Sequence, residues 1–211
     1  MRRRLSAVLI AVGCLLVIAA AALVGYNLKT QQEADQIAQT ALSELVKFIP
    51  DEEKTPLEGA ERPTGQETVV VPDYLLDPRI EMPTQEIDGI AYIGYLAIPS
   101  LELELPVISE TTYPYLKKAP CRFAGSAYLD NLVLGAHNYN RHFGRIDELS
   151  YGDIVQFTDM DGNVFTYEVG SVEILQPHQG EELCSGEWPL TLYTCTIGGR
   201  TRVTVRCDKV E

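Results

Sequence analysis

The chain reads as a mainly β domain, a closed or nearly closed barrel of short strands with short helices, preceded by an N-terminal transmembrane helix. Three observations carry this. An uncharged apolar run from Leu5 to Val24 follows Arg2, Arg3 and Arg4. From about Thr68 onward, short runs of alternating apolar and polar residues recur at near-regular spacing. Turn signals separate those runs, and little helical periodicity intervenes.

The apolar run is 20 residues long. That length crosses a hydrocarbon core of about 30 Å as a helix, whereas the apolar region of a secretory signal is usually only about 7–15 residues. Basic residues before the run and acids after it put residues 1–4 in the cytoplasm, 5–24 in the membrane and the rest of the chain outside. The alanines at 19 to 22 resemble a cleavage site, so a cleaved signal peptide is the alternative. "NLKTQQEADQIAQTALSELVKFIP" keeps a helical rhythm through Ala34, Ile37, Ala41 and Leu45 and stops at Pro50. It predicts a helical stalk. "PDEEKTPLEGAERPTGQE" is rich in prolines and acids and predicts a flexible spacer, so that 25–67 joins the membrane to the barrel. Residues 68–91 form an approach segment, and 92–211 the barrel.

Within the barrel, "LAIPSLELELPV" alternates Leu101, Leu103 and Leu105 with Glu102 and Glu104 as a half-buried strand, and Pro99 and Pro106 confine it to a short or edge position. "DIVQFTDMDGNVFTYEV" predicts a hairpin about Asp161-Gly162. "SVEILQ", "PLTLYTC" and "TRVTVRC" supply further strands. "NRHFGRIDELS" predicts the one short helix of this region, with Phe143, Ile146 and Leu149 along one side and Gly152 near its end.

Charge narrows the choice of partners. The chain holds 17 basic and 30 acidic residues, a net charge of −13. Three of the basic residues precede the first acid, Glu33, so the remainder is more negative still. Such a surface repels a phosphate backbone and excludes nucleic acid as a partner. The five cysteines show no CxxC spacing, which speaks against a metal site, and the acids form no recognisable calcium loop. No cofactor or metal is expected. A Cys121–Cys184 bridge stands beside the reading of Cys121 and Cys207 as unpaired buried thiols.

The chemistry concentrates near the C-terminus. A cysteine nucleophile acts as the thiolate, so it needs a basic or cationic neighbour and some exposure. Cys195 ends the strand "LTLYTC" just before the turn "TIGG", at the barrel's rim, and shares a face with Thr191 and Tyr193. Beyond the glycines, Arg200, Arg202 and Arg206 are expected on one strand face, with Val203, Val205 and Cys207 in the core. The chain has three histidines: His137 at the end of "NLVLGA", His142 at the start of the short helix, and His178 in a loop. Each alone reads as an exposed or locally bonded histidine.

Taken together, "LGAHN", "HFGRIDELSYGD", "TLYTC" and an arginine seven residues past the cysteine resemble the sortases, membrane-anchored cysteine transpeptidases of Gram-positive bacteria. The resemblance runs from about Tyr92 to Glu211. It implies the eight-stranded sortase β-barrel and a catalytic set of Cys195 as nucleophile, His137 as general acid–base and Arg202 as the substrate and oxyanion donor, with Arg200 its rival. Thr194 would shape the oxyanion pocket through its backbone. Glu182 and Trp188, in the short connection ahead of "LTLYTC", would meet the substrate, and that connection lacks the long helical insertion of a class B enzyme. The implied substrate is an LPXTG-like sorting signal, cleaved between Thr and Gly through a thioacyl enzyme. The acyl group would pass to an amine of a peptidoglycan precursor or a pilin. Asp77-Pro78-Arg79 resembles the lid motif of class C enzymes, with arginine in the aromatic position. A catalytically idle, membrane-tethered binding or assembly module is the alternative from another class, and net hydrolysis of the thioester a further one.

Overall fold

The computed structural model describes residues 2–50, 71–176, 180–186 and 188–210, with side chains from residue 9. The acidic spacer from residue 51 to 67 and His178 lie outside the described residues. A single helix, α1 (Arg2–Leu45), begins the chain, and it is long and apolar enough to cross a membrane by length and composition. Its second half lies on the barrel. Ala34, Ala38, Ala41, Leu42 and Leu45 are buried, whereas Ile37 points outward. The expected stripe is therefore shifted: small alanines let the helix lie close to the sheet, and Ala38 and Leu42 do the work assigned to Ile37. Gln39 Nε2 also donates to the Glu104 carbonyl at 3.3 Å.

Strands β1 (Gln85–Ile87), β2 (Ile90–Ile98), β3 (Leu103–Ile108), β4 (Cys121–Ala124), β5 (Leu132–Ala136), β6 (Ile154–Asp159), β7 (Val164–Leu175), β8 (Leu190–Cys195) and β9 (Arg202–Lys209) form one sheet in the order 1-2-3-4-5-8-9-7-6. Pairing of β2 with β6 closes β2–β9 into an eight-stranded barrel, with β1 added outside. Gly94 permits that closure. It sits at φ +143° beside a β2 bulge, and a Cβ there would fall 1.9 Å from the Thr158 carbonyl oxygen. The core joins inward residues of every long strand, among them Leu96, Leu105, Leu134, Phe157, Tyr167, Leu192 and Val205. A second cluster holds the end of α1, where Ala41 and Leu45 pack with Ile90, Tyr92, Ile108 and Cys121.

Local readings meet the structure unevenly. The Asp161-Gly162 hairpin joins β6 to β7, and "SVEILQ" continues β7 past a bulge at Gly170. Leu101, Leu103 and Leu105 are buried between exposed glutamates as expected, but Leu101 belongs to a 3₁₀ turn, Pro99–Leu101, that reverses β2 into β3. "NRHFGRIDELS" is a series of turns ending in a 3₁₀ turn, Ile146–Glu148, rather than a helix. Phe143, Ile146 and Leu149 still share its buried side. It is not the one short helix either: α2 (Asp73–Leu76), α3 (Tyr113–Leu116) and α4 (Gly180–Leu183) are present as well. Cys121 and Cys184 are unpaired, the first buried and the second exposed.

Candidate active site

Two strand ends make the site. β5 and β8 run parallel, and their last paired residues are Ala136 and Thr194. The residues that follow Ala136 along β5 and Thr194 along β8 are His137 and Cys195, which therefore leave the same end of the sheet side by side. Thr194 secures this end, its Oγ1 donating to the Ala136 carbonyl at 2.9 Å. On the other side of β8, Cys195 pairs with Arg202 of the antiparallel β9. His137, Cys195 and Arg202 thus sit on three successive strands, and all three line one cleft of about 590 Å³.

The cleft lies on the outer face of the β5–β8–β9 wall. Tyr193 crosses it beside β5, an approach that Gly135 allows, since a Cβ at that position would come within 2.4 Å of the tyrosine ring. Phe123 meets Tyr193 edge-on at 5.4 Å between ring centroids. Leu116 and Tyr113 from α3 and Leu183 from α4 complete an apolar lining. Burial, opposed by the Arg202 charge, pushes the Tyr193 phenol up to about 12. The result is a largely apolar cleft with His137, Cys195 and Arg202 in its wall.

Burial also holds the His137 imidazole below its usual range; Asn138 opposes this and the Lys117 charge adds to it. The main-chain N–H of His137 donates to the Leu116 carbonyl at 3.1 Å, while its Nδ1 is buried without a hydrogen-bond partner. Cys195 is half-buried at the cleft wall. The Arg202 guanidinium bonds only the carbonyls of its own turn, Thr201 at 3.2 Å and Gly199 at 3.4 Å, among the described residues.

The remaining sequence-predicted residues lie elsewhere. The Thr194 side chain is buried beneath the cleft. Arg200 is exposed in the turn before β9 begins, so it does not share the strand face of Arg202 and Arg206 and does not line the cleft. Glu182 is exposed on α4, outside the lining, and its carbonyl accepts from Arg206. Trp188 is half-buried against Gly170 and Gly186, also outside the lining. His142, expected to be exposed or locally bonded, is fully buried with neither ring nitrogen hydrogen-bonded. Asp77, Pro78 and Arg79 do not line the cleft. Their segment is held instead by Tyr74, stacked on Tyr128 at 4.7 Å, and by buried Met82.

Three residues of the site area escaped sequence reasoning. Phe123 of β4 and Tyr113 of α3 reach the cleft only through the tertiary packing of those elements, which leaves no local signal. Arg206 did carry one, its place on the outward face of β9, but its partners come from three other segments. It bonds Glu173 Oε1 at 2.7 Å, Thr191 Oγ1 at 3.0 Å and the carbonyls of Leu183 and Glu182 at 2.9 and 2.6 Å. It thereby ties α4, one wall of the cleft, to the barrel.

A family model described as the sortase domain matches residues 96–210, more than half of the chain. The chain belongs to the sortase family. It is 29% identical to a sortase A of Bacillus anthracis over 121 residues, 54% of this chain and 57% of that one, so it spans little more than half the length of that relative. Among solved structures, sortase C1 of Streptococcus suis is 28% identical with a TM-score of 0.50, over 57% of this chain and 73% of that one. Sortase C1 of Streptococcus agalactiae is 27% identical with a TM-score of 0.52, over 60% and 71%. A sortase D5 transpeptidase of Clostridium perfringens shares the fold over 83% of this chain and 99% of that one, with a TM-score of 0.57 and 19% identity.

Proposed function

We propose that the protein is a cysteine transpeptidase that cleaves an LPXTG-like sorting signal between Thr and Gly and transfers the acyl group to an amine. The observation that carries this reading is the convergence of His137, Cys195 and Arg202 at one end of the β5–β8–β9 wall, in one cleft. His137 first takes the thiol proton of Cys195. The thiolate attacks the Thr carbonyl carbon, and Arg202 donates to the oxygen that gains the negative charge. The C–N bond breaks as the imidazolium returns its proton to the departing glycine amine, leaving a thioester on Sγ. An incoming amine attacks that thioester and gives up its proton to His137, and the thiolate departs with the amide formed. The acceptor is an amine of a peptidoglycan precursor or a pilin.

Arg202 suits its role because, among the described residues, its donors are spent only on its own turn, and because a guanidinium keeps its charge at every working pH. The three arginines ahead of the apolar helix support an N-terminus in the cytoplasm, with a single span and the barrel outside. The test uses the full chain in detergent, since the second half of α1 is packed on the barrel. Incubated with an LPXTG-type peptide, Cys195 should gain a thioacyl adduct by intact mass, and an added amine should discharge it. No adduct with any member of a signal-peptide library would favour a catalytically idle binding module; discharge by water as fast as by amines would favour hydrolysis.

A further inference from the structure

His137 has an orientation problem. Its backbone is fixed by the bond from its N–H to Leu116, but Nδ1, the atom through which a general-acid histidine is commonly held, is buried and unbonded. What lies against the ring is Tyr139, stacked face to face at 4.2 Å between centroids with 16° between planes. Tyr139 is itself held firmly. Its carbonyl accepts from the main-chain N–H groups of both His142 and Gly144 at 2.9 Å, and its ring meets that of buried His142 at 5.5 Å. The winding depends on Gly144, where a Cβ would come within 2.7 Å of the Tyr139 carbonyl oxygen.

We propose that Tyr139 is the positioning residue for His137, fixing the plane of its imidazole by stacking and favouring its protonated form through the electron-rich face of the ring. The proposal rests on the reading of His137 as the general acid–base. A cation over an aromatic face gains about 0.5–2 kcal/mol, a factor of about 2–30 in the imidazolium population by the usual conversion of 1.4 kcal/mol per tenfold. The gain opposes the groups that disfavour the charge: burial and Lys117 from α3. The Asn138 side chain also favours the charged ring; Tyr113 of α3, Cys195 of β8 and Arg202 of β9 share its cleft, and His142 lies on its own loop. Without the stack, a proton arriving from Cys195 would meet a ring steadied by the Asn138 side chain alone and poorly disposed to hold it.

The experiment follows the His137 ring proton by NMR across pH in the full chain in detergent, beside steady-state kinetics. Tyr139→Leu should lower kcat about tenfold with KM within twofold, and move the His137 titration to lower pH. Tyr139→Phe keeps the ring face and should keep both readouts within about twofold. Pentafluorophenylalanine at position 139 keeps the ring's shape but reverses its electrostatics, and should reproduce the leucine result in the titration even if the leucine variant folds poorly. The proposal is overturned if the pentafluoro and phenylalanine proteins titrate alike, if Tyr139→Leu folds and keeps both readouts, or if Tyr139→Phe loses as much as Tyr139→Leu. The titration needs no turnover, so an inactive wild-type protein would sink the transpeptidase reading without touching the stacking result.

Discussion

Arg202 and Arg206 stand on the same face of β9, four residues apart, and the structure treats them oppositely. Arg206 is 4% exposed, and its guanidinium spends its donors on a carboxylate, a hydroxyl and two carbonyls from three other segments. Arg202 is half-buried and bonds two carbonyls of its own turn, at the long end of the hydrogen-bond range. The same division separates His137, at the cleft, from His142, fully buried behind it, and half-buried Cys195 from Cys207 in the core. Residue type and strand face do not tell a cleft-lining group from a buried one here. What separates them is whether the fold has removed the group from solvent, and in Arg206 it has spent the group's bonding capacity as well.

The largest contrast lies between the cysteines. Cys195→Ala should abolish the thioacyl adduct and leave the melting temperature unchanged. Cys207→Ala should keep the adduct and cost about 1–2 kcal/mol in a denaturant titration, because it empties part of a packed site. Burial pushes the Cys207 thiol up to about 12, so it cannot stand in as a thiolate. A Cys195→Ala protein that still labels on Cys207 would dissolve the distinction.

The arginines come next. Arg202→Ala should cost a factor of about 10²–10³ in kcat, the usual loss of one oxyanion donor, with little change in stability. Arg206→Leu should show the reverse. It leaves the buried Leu183 carbonyl unpaired, while the Glu182 carbonyl keeps its bonds from Ser185, so we expect a loss of about 1–3 kcal/mol and a raised KM as α4 loosens along the cleft. Exchange of these outcomes, with Arg206→Leu lowering kcat and leaving stability alone, would mean that saturation of partners is the wrong criterion.

Alternation explains why so much of this was readable in the chain and where reading stopped. Period-two patterning assigns the faces of β8 and β9, so Cys195 and Tyr193 fall opposite Val205 and Cys207 without any knowledge of the barrel. The Asp-Gly hairpin is equally local. Arg200 failed because strand onset is not a local property: the backbone turns through Gly198 and Gly199, both with positive φ, and pairing resumes only at Arg202. Ile37 failed because a helix lying close on a sheet prefers alanines on the contacting ridge over a larger residue beside it. His142 failed because its burial depends on a loop wound around the Tyr139 carbonyl, a tertiary matter that periodicity does not carry.

His142 offers the smallest but cleanest test of the division between buried and cleft-lining groups. Burial, with the His137 charge adding to it, lowers its imidazole to about 4, against about 6.5 in an unfolded chain. The unfolded chain therefore takes up a proton at this site that the folded protein resists. The stability held by neutral His142 is complete above pH 6.5 and is lost as pH falls from about 6.5 to about 4, by about 3 kcal/mol at most. His142→Phe keeps a ring beside Tyr139 and removes the titration. Chemical denaturation of both proteins at half-unit steps should give curves that run parallel above pH 6.5, and below it the native protein should lose up to about 3 kcal/mol relative to the variant. Parallel curves down to pH 4 would show that the folded protein accommodates the charged ring, and that a buried, unbonded histidine beside this cleft is not closed off by the fold in the way that Arg206 and Cys207 are.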